Sequence, residues 1–444
     1  MNTFHINRRI SSFQTIVFGF ALIILGGTLL LMLPIATVDG TSAPLKDALF
    51  TATSAACVTG LVVHDTATYW SGFGQTIILI LIQIGGMGVV TMAALFTILS
   101  GRKIGLMQRS TMQEAIAAHN VGGIVKLTSF IVKCTATIEI CGALLLMPSF
   151  CQEFGVGKGI WYAFFHSISA FCNAGFDLMG AKEPYSSLTG YVSNAGMNIV
   201  IMSLIIAGGI GFLTWDDIKM NKFHFRKYRT QSQIILSTTA ILILLPALYF
   251  FFGEFAALDM KPRILTSLFQ AVTPRTAGFN SVDFNQMSDV GKAMTIALMM
   301  IGGSPGSTAG GIKTTTIVIL MSYSLTVFHR NEDANIFGRR ISENALKNAS
   351  AIFMSYLLLI LIGTCIICGI ENLPFLSCLF ETTSAIGTVG LSLGITSELG
   401  MVSKGILIML MFFGRAGALT LFFATLSKGR KCKARYPLAK ISVG

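Results

Sequence analysis

Residues 50–60 (FTATSAACVTG), 165–175 (FHSISAFCNAG), 269–278 (FQAVTPRTAG) and 380–390 (FETTSAIGTVG) state one short phrase four times in a 444-residue chain. The closing glycines stand 103 to 115 residues apart, and each phrase lies between two long apolar segments. A repeat of this period decides architecture before local propensity does, because a unit too small to bury itself must stack on its neighbours. Four such units surround one axis. They predict a pore.

The rest of the chain agrees. It is 53% hydrophobic and 12% charged, with a mean hydropathy of +0.71, which makes it a polytopic membrane protein. Segments 16–35, 76–99 and 349–370 carry no charge and are long enough to cross the hydrocarbon core as helices. Segments 236–252 and 197–213 are charge-free but shorter, and are expected to extend into polar flanks. Arg8 and Arg9 ahead of an apolar run resemble a secretory leader. The run is too long and has no small-residue cleavage site, so it reads as a retained first helix.

Net charge is +12, and its distribution points to a membrane rather than to nucleic acid. If each unit crosses, dips back from outside and returns, the inner segments (the N-terminus, 101–126, 215–232, 322–348 and 427–444) hold 21 Lys and Arg against 6 Asp and Glu. The outer segments hold 7 against 13. This is the positive-inside bias, and it puts both termini in the cytoplasm of a plasma (inner) membrane protein. An acidic outer face also concentrates cations. Lys133, Glu139, Arg275, Lys313 and Arg415 fall at membrane depth.

Each unit is expected to run as outer helix, short half-helix, loop and second helix. The outer helices are predicted at about 14–36, 127–148, 233–252 and 349–370, and the half-helices at about 46–57, 161–172, 264–272 and 375–385. The second helices follow at about 74–99, 194–214, 290–325 (interrupted) and 402–426. The fold class is therefore all-α and polytopic, with four parallel helix–pore loop–helix repeats around a pseudo-fourfold central pore. The repeats are about 14–100, 124–216, 232–325 and 349–426, in a single membrane domain 1–444 with a cytoplasmic tail 427–444. Each unit crosses twice, so all enter from one side, unlike an inverted-repeat carrier. Non-helical backbone at membrane depth must line water or be buried in protein, and four such loops define a water-accessible path.

A dehydrated cation loses hydration worth tens of kcal/mol, which a ring of carbonyl oxygens can replace without trapping it on a fixed charge. Turning a carbonyl inward needs backbone that favours glycine, and Gly60, Gly175, Gly278 and Gly390 supply one per unit. The half-helices aim their C-terminal, partially negative ends at the same axis. The second helices share another phrase: 84–88 (IGGMG), 207–211 (AGGIG), 301–306 (IGGSPG) and 413–417 (FGRAG). Glycines in the first two copies read as close helix contacts. The third runs on as 302–314 (GGSPGSTAGGIKT), with too much glycine and a proline to stay helical, and the fourth carries Arg415 in place of a glycine. Stretch 306–314 imitates a phosphate-binding loop, but Ile312 separates glycine from lysine and an apolar helix precedes it.

Helix–pore loop–helix four times over resembles the Trk/Ktr/HKT superfamily of potassium transporters. The resemblance rests on Val58, Thr59 and Gly60, on Asn173, Ala174 and Gly175, on Thr276, Ala277 and Gly278, on Thr388, Val389 and Gly390, and most specifically on 270–280 (QAVTPRTAGFN). It spans about 14–444, and with no helix pair ahead of the first repeat it is nearest the KtrB type of membrane subunit. It implies that these twelve residues form the selectivity filter, with potassium held at Gly60, Gly175, Gly278 and Gly390, since glycine in all four loops goes with potassium. It also implies an intramembrane gate made of Gly302, Gly303, Ser304, Pro305, Gly306, Ser307, Thr308, Ala309, Gly310, Gly311 and Lys313, faced by Arg415. A homodimer, a cytosolic ring of nucleotide-binding (KtrA-like) regulatory subunits, no cofactor on this chain and sodium as a second ion complete the implication.

Other readings stay open at several positions. Arg415 at membrane depth costs about 2.5–3.5 kcal/mol to insert, so it faces protein or water, either as a barrier on the loop or as a packing charge paired with a carboxylate. Lys313 has the same two readings. Asp65, Asp177, Asp283 and Glu398 follow the four loops as mouth charges or as solvated loop residues. Lys133 and Glu139, six apart, do not share a helical face. One is expected to snorkel while the other faces a cavity or subunit contact. Cys365 and Cys368 lie in an apolar helix without the polar partners a metal or redox pair needs. An alternating-access carrier conflicts with parallel repeats. An enzyme conflicts with histidines scattered at 5, 64, 119, 166, 224 and 329. The basic tail offers a docking surface or a lipid-headgroup contact.

Overall fold

A computed structural model describes residues 11–99, 123–222 and 224–417, together with Arg109, residues 111–114, 420–421 and Ala424. The basic start and the expected cytoplasmic tail lie outside the described residues.

Four times the chain runs from a long apolar helix into a short buried one. The long helices are α1 (Ser12–Leu31), α5 (Ile124–Phe154), α9 (Thr230–Tyr249, continued by a π-turn over Phe250–Glu254) and α13 (Glu343–Glu371). The short ones are α2 (Leu45–Ala56), α6 (Val156–Phe171), α10 (Met260–Val272) and α14 (Phe375–Gly387). Serines start α1 and α13: Ser11 makes a reciprocal cap with Gln14, and Ser342 accepts from the Ala345 amide. The long helices, 20, 31, 25 and 29 residues including the π-turn, are each long and apolar enough to cross a bilayer. Only about a third of each is buried, 28–33%, so residues such as Leu22 and Leu29 on α1 face outward. In water that surface would drive aggregation; against lipid tails it is at equilibrium.

The short helices are packed inside the molecule, and each phrase begins on a large buried side chain. Phe50, Phe165, Phe269 and Phe380, the first residue of each phrase, are 0% exposed. The third set of helices comprises α3 (Gly72–Met87), α4 (Val89–Leu99), α7 (Ala195–Gly209), α8 (Phe212–Asn221), α11 (Asp289–Met300), α12 (Thr314–Phe328) and α15 (Met401–Ala416). Here the packing becomes cyclic: α3 lies against α6, α7 against α10, α11 against α14, and α15 closes the circle on α2. A two-stranded hairpin, Asn335–Ile336 with Arg339–Arg340, decorates the connection before α13.

The structure departs from the sequence expectation in the second helices. An uninterrupted span over 74–99 was predicted, but α3 and α4 meet at 98°, and α7 and α8 meet at 96°. Gly88 (φ 84°, ψ 136°) and Gly211 (φ 87°, ψ 145°) make the bends, and Gly417 (φ 83°, ψ 138°) ends α15 in the same conformation. That region of backbone space is nearly closed to residues with a Cβ. Gly88 and Gly211 are thus corners. The first glycine is the close contact the sequence suggested: a Cβ at Gly85, Gly208 or Gly414 would run into the carbonyl oxygen of Ala56, Phe171 or Ile386.

These corners are separable by mutation. Gly211→Ala meets both the backbone cost, about 1–3 kcal/mol, and the Pro305 carbonyl oxygen 2.7 Å from the new methyl. Gly88→Ala meets the backbone cost alone, and Gly26→Ala, with nothing within 4 Å, meets neither. Thermal unfolding in detergent is expected to rank Gly211→Ala below Gly88→Ala, and both below Gly26→Ala and wild type. Equal midpoints for all four would contradict the assignment.

Candidate functional site

Each short helix ends in a turn that a β-substituted chain rarely makes. Val58, Asn173, Thr276 and Thr388 have φ of 57°, 58°, 67° and 52°, and the glycines two residues later have φ of 91°, 69°, 79° and 87°. Left-handed backbone at alternate positions turns successive carbonyls toward one side. Each non-glycine member costs about 1–3 kcal/mol, a strain held by surrounding structure. The amides of Thr59, Ala174 and Val389 bond back to the Ser54, Ser169 and Ser384 carbonyls at 2.8 Å, and Gly60 N donates to Ser54 Oγ at 3.1 Å.

The four turns meet. A Cβ on Gly60 would lie 2.5 Å from the Ala174 oxygen, on Gly175 2.8 Å from the Ala277 oxygen, and on Gly278 2.5 Å from the Val389 oxygen; on Gly390 it would collide with the Thr59 oxygen. The order 60, 175, 278, 390 and back to 60 is a closed ring. Carbonyl oxygens of Thr59, Ala174, Ala277 and Val389 line it, each beside the glycine of the preceding loop.

Behind the ring stands a set of residues that the sequence reading overlooked. The position after each anchor phenylalanine is Thr51, His166, Gln270 or Glu381, and the last three are fully buried. His166 Nδ1 faces the Tyr162 oxygen at 2.7 Å, leaving Nε2 to accept the Leu178 amide at 3.3 Å. Gln270 Nε2 donates to Ser281 Oγ at 3.2 Å. Glu381 accepts from the Ser392 hydroxyl and from Thr396 Oγ1 at 3.0 Å. Each braces the segment just past its ring glycine. Their common register within the phrase was the available signal, hidden because the four side chains share no chemistry.

Outside the ring lies a cavity of about 290 Å³ lined by all four glycines with Asp65, Asp177 and Asp283. Asp65 is buried and caps the one-turn helix Thr66–Tyr69 through the Ala67 and Thr68 amides, both at 3.0 Å. Its second oxygen accepts the Tyr185 amide at 3.0 Å, stitching the first outer loop to the second. Asp177 accepts the Met179 amide at 2.9 Å. Burial, joined by the charge of Asp65, pushes Asp177 up to about 7. Glu398 is exposed and off the lining.

On the other side of the ring the chain from Gly302 to Lys313 reaches from the third unit to the second and the fourth. It leaves α11 through a Gly302 amide bond to Ile312 (2.8 Å), reaches α7 through Ser304 N and the Gly209 oxygen (3.0 Å), and receives the Phe212 amide on Gly306 (2.8 Å). Thr308 Oγ1 donates to the Phe171 oxygen at 3.0 Å, at the end of α6, and Gly310 packs on the Thr388 side chain under the fourth turn. Lys313 Nζ donates to the Ala309 and Gly310 oxygens at 2.7 and 3.3 Å. Arg415 donates to the Thr308 oxygen from one nitrogen, and to Gly85 and Gly86 (3.1 Å) from the other. Its described partners are carbonyls, not the carboxylate of the packing-charge reading. A second cavity, about 370 Å³, lies on the far side and is lined by Pro305, Gly306, Ser307, Lys313 and Arg415.

The remaining membrane-depth charges divide as their spacing implied. Lys133 is exposed, while Glu139 is buried behind α3, accepting from Gln83 Nε2 at 3.1 Å. Arg275 is buried beside the third turn with Thr239 Oγ1 at 3.2 Å and no carboxylate partner among the described residues. Among the described residues no three His, Cys, Asp or Glu side chains gather as a metal site.

Comparison with known proteins adds an independent line. A family described as TrkH, cation transport protein, matches residues 5–429. The chain is 39% identical to the potassium/sodium uptake protein NtpJ of Enterococcus hirae, over 99% of this chain and 98% of that one. It is also 39% identical to the Ktr system potassium uptake protein B of Bacillus subtilis, over 97% and 96%. The crystal structure of the potassium transporter TrkH from Vibrio parahaemolyticus superimposes with a TM-score of 0.76 at 18% identity, covering 96% of this chain and 87% of that one.

The Glu381 brace has a measurable consequence. Glu381→Ala removes the acceptor that the buried Thr396 and half-buried Ser392 hydroxyls share, which costs about 1–3 kcal/mol, whereas Glu381→Gln keeps an acceptor. Thermal melts of the detergent-solubilised protein are expected to fall clearly for Ala and much less for Gln. Equal losses would remove the bracing role.

Proposed function

The chain belongs to the TrkH family of cation transport proteins, and on that footing we propose that it is the ion-conducting membrane subunit of a potassium uptake system. Its relatives are transporters rather than enzymes, and it is a multi-pass membrane protein. The observation that carries the reading is the closed ring in which four carbonyl oxygens stand beside four glycines. Such a ring replaces the water of a dehydrating cation without holding it on a formal charge. We assign the filter to residues 58–60, 173–175, 276–278 and 388–390, with potassium passing at Gly60, Gly175, Gly278 and Gly390. Potassium is the substrate named for both curated relatives above; sodium, also named for one of them, is the competing ion.

The loop Gly302–Lys313 is the proposed gate. It lies between the two cavities and is tied to α6, α7, the fourth turn and, through Arg415, the end of α3. Arg415 acts in two ways: its charge opposes a cation below the ring, and its planar donors pin the Thr308 carbonyl. Opening requires those carbonyl bonds to be exchanged for water. We take 1–444 as one membrane domain of four such units, with both termini cytoplasmic in the plasma membrane, as the charge bias favours. The word system in the name of the Bacillus relative supports a multi-component assembly. For this chain we propose a homodimer on a cytosolic ring of nucleotide-binding subunits.

Tracer potassium uptake into proteoliposomes tests the reading. Gly60→Ser and Gly278→Ser place an atom 2.5 Å from a lining carbonyl, and each is expected to lower potassium-over-sodium permeability by roughly tenfold, the effect of about 1.4 kcal/mol. An unchanged ratio in both would refute the filter. Arg415→Ala is expected to raise uptake at subsaturating potassium with selectivity retained, and Arg415→Lys to be intermediate. Lower flux per folded molecule in both would mean a packing role. Because burial pushes the Asp177 carboxyl up to about 7, the mouth is expected to gain negative charge as pH rises through that value. The potassium concentration for half-maximal uptake is expected to fall between pH 6 and 8, and Asp177→Asn to flatten that dependence.

A further inference from the structure

On the side of the bundle, between α5 and α8, runs an open groove of about 480 Å³ in which Lys126, Lys133 and Lys219 converge. Lys126 and Lys133 are seven apart on α5, two turns along one face. Lys219 comes from α8 and sits 4.8 Å from the centre of the Phe130 ring. All three lysines are exposed, and none has an ion-pair partner among the described residues. The acids of α8 do not neutralise them: Asp216 and Asp217 are held by Arg229 at 3.0 and 3.4 Å.

Beyond Lys133 the same face of α5 changes character. Thr137, Ile140 and Leu144 follow at helical spacing, and Ile140 and Leu144 are 49% and 56% exposed. From Lys126 to Leu144 the helix rises about 27 Å at 1.5 Å per residue, basic at one end and apolar at the other. Helix α8, turned 96° from α7, runs across the bundle as an interfacial helix does, with Trp215 on the groove and its indole nitrogen donating to the Ala207 oxygen at 2.9 Å. This sequence of features along one axis is the shape and polarity of a single lipid.

We propose that the groove binds one anionic glycerophospholipid, its phosphate on Lys126, Lys133 and Lys219 and an acyl chain along Ile140 and Leu144. Lys133, the deepest of the three, snorkels toward the phosphate. A second copy of this chain is the poorer occupant, because a self-complementary contact across a two-fold axis sets the same basic patch against itself. The site rests on the reading that α5 crosses a bilayer, but its test reads lipid binding alone. Its failure would leave the uptake assay untouched.

Tryptophan fluorescence of the purified full chain, with Trp215 on the groove, reports local lipid through quenching by brominated phosphatidylglycerol or brominated phosphatidylcholine. Wild type is expected to prefer the anionic lipid by roughly a hundredfold at low salt, at about fivefold for each of the three lysines. The K126Q/K133Q/K219Q variant is expected to lose it at unchanged thermal midpoint; should that variant not fold, K219Q alone is expected to reduce it about fivefold. Equal quenching by the two lipids, or full preference in the variants, overturns the site. Loss of preference on adding millimolar inorganic phosphate at constant ionic strength assigns the lysines to a soluble anion and overturns the lipid. A changed oligomeric mass in the triple variant with preference intact assigns the face to a second copy.

Discussion

Backbone that leaves a helix inside a membrane must find partners for its amide and carbonyl groups within the protein, since lipid offers none. The chain does this repeatedly: at four turns following buried half-helices, at the corners in the second helices, and along the loop from Gly302 to Lys313. The turns return their amides to the half-helix and leave carbonyls facing one another. The loop gives amides to the Gly208 and Gly209 carbonyls at the end of α7, a carbonyl to the Phe212 amide of α8, and the Thr308 hydroxyl to the end of α6. What another protein would treat as a defect is here the material of the site. A carbonyl left without an internal donor is the ligand an ion in transit requires.

Close approach is what makes such satisfaction possible. Gly85, Gly208 and Gly414 let their helices touch the terminal carbonyls of the neighbouring half-helices, where any side chain would hold them apart. Gly88 and Gly211 then turn the backbone through nearly a right angle, and Gly417 ends α15 in the same conformation. Four anchor phenylalanines fix the half-helices from behind, and three buried polar side chains brace the loop segments past the ring. The same position is a histidine, a glutamine and a glutamate, because each meets a different donor or acceptor: an amide, a serine hydroxyl and a hydroxyl pair. Fourfold geometry is thereby reached with non-identical chemistry.

Charge at membrane depth follows the same economy. Arg415 has carbonyls around it and lines a cavity, so its charge is solvated by dipoles while facing the proposed path. Glu139 is held by an amide side chain behind the path, and Arg275 by a threonine hydroxyl. Lys133 points outward and belongs to a different surface altogether. Position relative to the axis, rather than depth alone, separates a charge facing the proposed path from one buried in the fold or turned to the surface.

Much of this was legible in the residues. Apolar length, the four phrases and the charge bias specify spanning helices, half-helices and an axis, because hydrophobicity and periodicity act locally and survive in one dimension. Gly60, Gly175, Gly278 and Gly390 were visible for the same reason, as was the oddity of Arg415 among glycines. Other features needed the tertiary structure. Gly88 and Gly211 look alike as contact residues or as corners until their φ angles are known. The braces at His166, Gln270 and Glu381 share a register but no chemistry, and only the segments they meet give them a common role. The cyclic order of the carbonyls, the reach of Arg415 across 330 residues of sequence to Gly85, and the meeting of Lys126 and Lys133 with Lys219 are long-range contacts. Local preference determines which element a segment becomes. Which elements face one another is decided by packing, where the energy depends on partners that no single stretch of sequence contains.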